Sequence, residues 1–173
     1  QENLKKAEYY IIQAASQNVK LIVLPEFFTS AIGFSDKMFD VVQHNNVVPE
    51  FLKKLSAYYN IMIGGSSLQF DGNNTYNIFQ LFFPDGQIYS HKKDIPTQFE
   101  NCYYTKGDVI NVINTPIGNI GVALCWEMLR YDTIRRMLGK VDFVMAGSCW
   151  WNFCKEDGEG IYKAIANSTN IAY

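Results

Sequence analysis

The stretch Leu21-Ile22-Val23-Leu24-Pro25-Glu26-Phe27-Phe28 decides the fold. Four consecutive apolar residues, two of them β-branched, mark a strand buried on both faces, and such strands belong to sheets covered by helices. Pro25 lacks the N–H that a ladder needs, so the strand ends there. That leaves Glu26 just past a strand end, at the rim of an apolar wall. Partial desolvation at such a rim raises a carboxyl pKa toward the range useful for proton transfer. Taken alone, the residue is equally well read as a solvated glutamate after a strand.

Upstream, Leu4, Ala7, Ile11 and Ala14 recur at helical spacing, which predicts a helix over 3–17 with Asn18 as its stop. Downstream, residues 30–47 read as a long loop with some helical turns. Pro49 fits the first turn of a helix whose buried stripe is Phe51, Leu52, Leu55 and Tyr59. Strands are predicted at 61–70, 76–83 and 88–93, separated by the turn signals Asp71-Gly72-Asn73-Asn74 and Pro84-Asp85-Gly86. Such short connections suit antiparallel pairing. Residues 94–107 are loop-like. Two more strands, 109–113 and 117–124, flank the turn Asn114-Thr115-Pro116, and Gly118 and Gly121 allow close backbone approach. Residues 128–138 read as a helix stopped by Gly139, 141–146 as a strand, and 161–168 as the start of a further helix. The pattern is α/β: a mixed β-sheet with flanking helices, in a single domain over 1–173.

Composition narrows the function. A chain of 173 residues with 48% hydrophobic content can bury a core and is not a disordered segment. A net charge of -2 without a basic run argues against nucleic-acid and anionic-membrane partners. No apolar run approaches the roughly 20 residues that cross a bilayer, and the N-terminus lacks the order of a secretory signal. The cysteines at 102, 125, 149 and 154 are too sparse for a disulfide scaffold, so reduced thiols and a cytoplasmic location are expected. Cys149 and Cys154 make only a marginal zinc pattern with no histidine nearby, and no metal is expected.

Cys125 follows a strand and precedes a predicted helix, whose N-terminal N–H groups would favour thiolate. A free thiol has a pKa of about 8.5, so a nucleophilic cysteine also needs a base. A buried core cysteine is the plain alternative. His44 lies in a polar loop and His91 beside two lysines; either could meet Cys125 in space, but Glu26 is the better candidate base. Lys92 and Lys93 should point to opposite sides of their strand. The inward one could stabilise a tetrahedral anion, while two solvated lysines is the plain alternative.

The segments Leu24-Pro25-Glu26-Phe27-Phe28, His91-Lys92-Lys93-Asp94-Ile95-Pro96-Thr97 and Cys125-Trp126-Glu127 resemble, in order, the three signature motifs of the nitrilase superfamily. Further similarity extends through Thr115-Pro116-Ile117-Gly118 and Gly147-Ser148-Cys149-Trp150-Trp151 and covers nearly the whole chain. The resemblance implies a four-layer α-β-β-α sandwich that usually assembles as a dimer. It implies a catalytic triad of Glu26, Lys93 and Cys125, with Glu100 as an auxiliary glutamate that orients Lys93 and keeps it protonated. Lys92 is a rival register, but Lys93 leaves Pro96, Thr97 and Glu100 in better agreement with the family. The implied reaction is hydrolysis of a small amide, ureido compound or nitrile through a cysteine thioester, without metal or organic cofactor. Trp126, Trp150 and Trp151 are expected near the substrate; ordinary packing is the alternative for Trp150 and Trp151, as it is for Tyr103 and Tyr104. Arg130 and Arg135 either bind a substrate carboxylate or lie on the surface. A catalytically inactive, amide-binding relative is the other reading of the same scaffold. Against the family pattern, the first strand and the C-terminal part are absent, so the domain reads as incomplete at both ends, with exposed apolar edges.

Overall fold

The computed structural model describes residues 1–30, 37–108 and 111–149, the side chains of Met38 and Phe39 excepted. The helix predicted at 161–168 lies outside these residues, as do Trp150, Trp151 and Cys154.

Helix α1 (Glu2–Ser16) turns Ala7 and Ile11 inward, and Asn18, in the left-handed region, redirects the chain into strand β1 (Leu21–Val23). The expected loop holds helix α2 (Lys37–His44) and a 3-10 turn (Asn45–Val47), followed by α3 (Val48–Tyr59) with Pro49 in its first turn. Strands β2 (Met62–Phe70), β3 (Thr75–Phe82) and β4 (Ile88–Lys92) join β1 in a sheet of order β1-β2-β3-β4. β1 and β2 run parallel, and the other two pairs are antiparallel. A second sheet has the order β5-β6-β7, from Val112–Thr115, Gly118–Val122 and Phe143–Met145. Its β5–β6 turn falls at Pro116-Ile117, later than expected. Pairing continues through Thr115, whose hydroxyl donates to the Gly118 carbonyl at 2.8 Å.

Side-chain alternation along the strands builds the layers. Helices α1 and α3 cover the outer face of the first sheet through Ile11 and Leu52 against Ile63 and Phe82. Phe79 and Leu81, on its inner face, pack against Ile120, Val122 and Met145 of the second sheet. Met137 of helix α4 (Tyr131–Met137), with Met128, covers the far side against Ala123 and Val144. The result is an α-β-β-α sandwich in which each fully buried aliphatic side chain contributes roughly 1.5–3 kcal/mol.

Two expectations need correction. Leu21 and Ile22 do pack on opposite faces of β1, but Val23 stays 39% exposed. It borders an open groove of about 480 Å³ between the ends of β1 and β7. The helix predicted over 128–138 is interrupted. A 3-10 turn (Cys125–Leu129) comes first, Arg130 is extended, and α4 starts only at Tyr131.

Close approach explains two glycines. A Cβ at Gly121 would lie 2.6 Å from Met137 Sδ, so this glycine seats α4 on the sheet. At Gly107 it would lie 2.2 Å from Lys92 Cβ and 2.5 Å from the Lys92 carbonyl oxygen. Gly107 thereby lies flat against the end of β4, with its N–H donating to the Lys93 carbonyl at 2.7 Å. Gly107→Ala is expected to destabilise the protein by about 1–3 kcal/mol through overpacking. The check is a lower urea midpoint at unchanged slope; a wild-type midpoint would show that the loop has room to withdraw.

Candidate active site

The carboxylate of Glu26 is aimed inward by the backbone around it. Leu24 N–H still pairs with the Gly64 carbonyl at 2.7 Å, and Phe27 then adopts a left-handed conformation. Phe27 N–H donates to Ser66 Oγ at 3.2 Å, and its ring meets Tyr104 edge-on at 6.0 Å. Glu26 is left 2% exposed. Its Oε1 accepts from Asn77 Nδ2 at 2.8 Å and from Lys93 Nζ at 2.9 Å, and its Oε2 accepts from Cys149 N–H at 3.1 Å.

Lys93 follows β4 directly, and its N–H extends the ladder to the Asn77 carbonyl at 2.8 Å. Alternation sends the two lysines opposite ways. Lys92 lies over the Tyr76 ring at 3.8 Å, on the outside, whereas Lys93 is 1% exposed. The Lys93 ammonium sits 2.9 Å from Glu26 Oε1 and 2.9 Å from Glu100 Oε2. Glu100 is held by a 3-10 turn (Gln98–Cys102), where its carboxylate accepts the Thr97 N–H in a capping box. Burial works against a charged Lys93, but the two carboxylates outweigh it and hold its pKa above the ordinary lysine range.

Cys125 ends the β6 segment in a left-handed conformation (φ 51°), which costs a non-glycine residue of order 1–3 kcal/mol and is commonest at functional sites. Its N–H donates to the Gly147 carbonyl at 2.9 Å. The half-buried thiol lies within the field of Glu26, Lys93 and Glu100. Burial and then the Glu26 charge push it up to about 11, against smaller pulls from the Ser148 hydroxyl and Lys93. The expected thiolate-favouring helix end is thus corrected: one 3-10 turn offers little dipole, and burial together with the Glu26 charge prevails.

The structure therefore brings Glu26, Lys93, Glu100 and Cys125 together. Trp126, the residue after Cys125, is 43% exposed. Arg135 pairs on the surface with Asp132 at 3.6 Å, and Arg130 Nη1 lies 4.0 Å from Asp94 Oδ1. Tyr104 is buried, and burial followed by the Glu100 charge pushes its phenol well above the usual range. Sequence reasoning missed Asn77, Ser148 and Arg136 and assigned no role to Glu127. Asn77 carried a signal, being a short amide inside a largely apolar strand, where it must find buried partners. Glu127 is fully buried and accepts hydrogen bonds from Leu124 N–H at 2.6 Å, Asp94 N–H at 2.5 Å and His91 Nε2 at 3.0 Å. Burial opposes its charge, but His91 and these donors outweigh it and hold the carboxyl below its usual range. Asp94 is shifted the other way, by burial and by Glu127, against the pull of Arg136 and Arg130. Among the described residues no cluster of three or more His, Cys, Asp or Glu could hold a metal, and no helix is long and apolar enough to cross a membrane.

Comparison with known proteins gives the fold and the family. Nitrilase 3 of Arabidopsis thaliana is 33% identical over 146 residues, covering 72% of this chain and 42% of the relative. The omega-amidase of Danio rerio is 29% identical over 153 residues, covering 80% of this chain and 54% of the relative. The chain thus spans about half the length of these curated relatives. An amidase from Nesterenkonia sp. AN1, solved as a glutamate-to-glutamine mutant with acrylamide added to its active site cysteine, shares the fold. Its TM-score is 0.87 at 16% identity, covering 99% of this chain and 70% of that one. The carbon-nitrogen hydrolase family model matches residues 1–152, the stretch that carries Glu26, Lys93, Glu100 and Cys125, and the chain belongs to that family.

Proposed function

We propose that this chain carries the catalytic centre of a hydrolase that cleaves a non-peptide carbon–nitrogen bond of a small amide through a thioester on Cys125. The observation that carries the reading is the Lys93 ammonium held between two buried carboxylates, with the thiol inside their field.

The charges define the roles. With its pKa near 11, the thiol is neutral at rest, so the nucleophile forms only as its proton leaves for Glu26. Lys93 has three N–H donors, of which Glu26 and Glu100 take two, leaving the third for the substrate oxygen. As sulfur attacks the amide carbon, Lys93 and the Trp126 N–H stabilise the tetrahedral anion. Glu26 passes the proton to the leaving nitrogen, and the C–N bond breaks to give the thioester. Glu26 next takes a proton from water, whose oxygen attacks the thioester carbon. The C–S bond breaks, the acid departs and the sulfur recovers its proton. None of these steps calls on a cofactor. The exposed Trp126 is read as part of the substrate entrance, and Trp150 and Trp151 keep the same proposed role. The homo-oligomer, the small-molecule substrate and the cytoplasmic setting go with this reading. A nitrile is the second candidate substrate, favoured by the similarity to nitrilase 3.

In the full-length protein, Cys125→Ala is expected to lower ammonia release from a panel of amides, ureido compounds and nitriles by more than about 10³-fold. Wild-type turnover by that variant would end the proposal. The position of the thiol predicts that alkylation of Cys125 by iodoacetamide keeps accelerating from about pH 9 to about pH 11, where an ordinary thiol has levelled off. Stability should follow the same groups. Cys125, Lys93 and Tyr104 all have folded pKa values above their unfolded ones, so the folded chain holds more protons in alkali. Their contribution is complete below about pH 9 and is lost as pH rises through the folded values. A urea midpoint that does not fall between about pH 8 and about pH 10.5 would contradict these assignments.

A further inference from the structure

Resting on the reading above, the geometry points to Glu127 as a positioning residue that ties the nucleophile turn to the lysine strand. Its carboxylate is fully buried. One oxygen accepts the N–H of Leu124, the residue immediately before Cys125, at 2.6 Å. The other accepts the N–H of Asp94, the residue immediately after Lys93. A single side chain thus bonds the backbone next to the nucleophile and the backbone next to the ammonium. These two segments belong to different sheets, and nothing apolar can hold them in so definite a relation, because apolar contact is not directional.

His91 completes the clamp from the strand that leads to Lys93. Its Nε2 lies 3.2 Å and 3.0 Å from the two Glu127 oxygens, and both side chains are fully buried. A carboxylate only accepts, so this nitrogen carries the hydrogen. The next residue outward is locked as well: Arg136 Nη2 reaches Asp94 Oδ2 at 2.5 Å, its Nε donates to Asn111 Oδ1 at 2.8 Å, and Arg130 lies 4.0 Å from Asp94 Oδ1. Glu127 touches neither thiol nor ammonium in these contacts; it acts through the backbone on either side of them.

The test uses the full-length enzyme, amide hydrolysis, and a count of labelled Cys125 sites against the Cys125→Ala background. Glu127→Gln keeps the volume but turns one acceptor into a donor facing an N–H, so one link of the clamp must break. The expected result is a kcat per labelled site lowered by roughly 100-fold, the cost of a misplacement near 1 Å, with KM within about threefold of wild type. His91→Phe should fall in the same direction by a smaller factor, and His91→Gln, which restores an N–H donor, should recover part of the loss. A kcat per site within about threefold of wild type in Glu127→Gln would overturn the inference, as would a loss accounted for by missing sites alone. If Glu127→Gln does not fold, equal kcat for His91→Phe and His91→Gln overturns it instead. An active Cys125→Ala would sink the hydrolase reading; an inactive one beside a full-rate Glu127→Gln would sink this inference alone.

Discussion

The Lys93 ammonium, enclosed between Glu26 and Glu100, is the constraint on which the rest depends. An ion of this kind loses several kcal/mol of effective hydration on burial. At 2.9 Å and an effective dielectric of about 20, each carboxylate returns roughly 6 kcal/mol of gross attraction. One carboxylate would little more than offset the loss, and two hold the lysine charged despite burial. Their mutual repulsion is then absorbed by neutral donors: Asn77 and the Cys149 N–H at Glu26, the Thr97 N–H at Glu100. The polar network is therefore a consequence of one buried positive charge, and it reaches into both sheets.

The same surplus of negative charge governs the thiol. Two carboxylates to one ammonium leave the cluster one unit negative, and a thiolate would make it two. Burial first, and then this charge, push the Cys125 thiol up to about 11. Moving the proton from sulfur to Glu26 leaves the total charge unchanged, so the transfer escapes that penalty. This favours proton transfer concerted with attack over a preformed thiolate. The left-handed backbone of Cys125 belongs to the same design, because it turns the side chain out of the strand toward the carboxylates.

Much of this was legible in the chain, for definite reasons. Glu26, Lys93 and Cys125 each follow an apolar strand, and a strand end can be read from a proline, a polar doublet or the close of an apolar run. The choice of Lys93 over Lys92 came from motif register and agrees with strand alternation, which sends one lysine inward and the other over Tyr76. The helix start was misread because Met128 to Leu138 is helical in composition. The chain breaks at Arg130 instead, three residues after Glu127, whose bond to the Asp94 N–H 33 residues away has no local signature. Arg136 and Ser148 were invisible for the same reason: their partners lie 42 and more than 20 residues away along the chain. The turn at Pro116 slipped because the Thr115 hydroxyl extends the ladder by one pair.

The two sheets meet through an apolar core of Phe79, Leu81, Ile120, Val122 and Met145, and such a core fixes distance better than it fixes registration. Sliding one sheet by an ångström would cost little apolar contact and would destroy the proposed site, whose groups come from both sheets. Glu26 and Lys93 stand on the first sheet, and Cys125 on the second. Registration has to come from directional bonds that cross between them. Such crossings among the described residues include Cys149 N–H to Glu26, and Asp94 N–H and His91 Nε2 to Glu127. All end on buried carboxylates, the acceptors that form the stronger, charge-assisted hydrogen bonds. The geometry of the proposed site and sandwich registration are therefore held by the same few oxygen atoms, and a substitution that disturbs one should disturb the other.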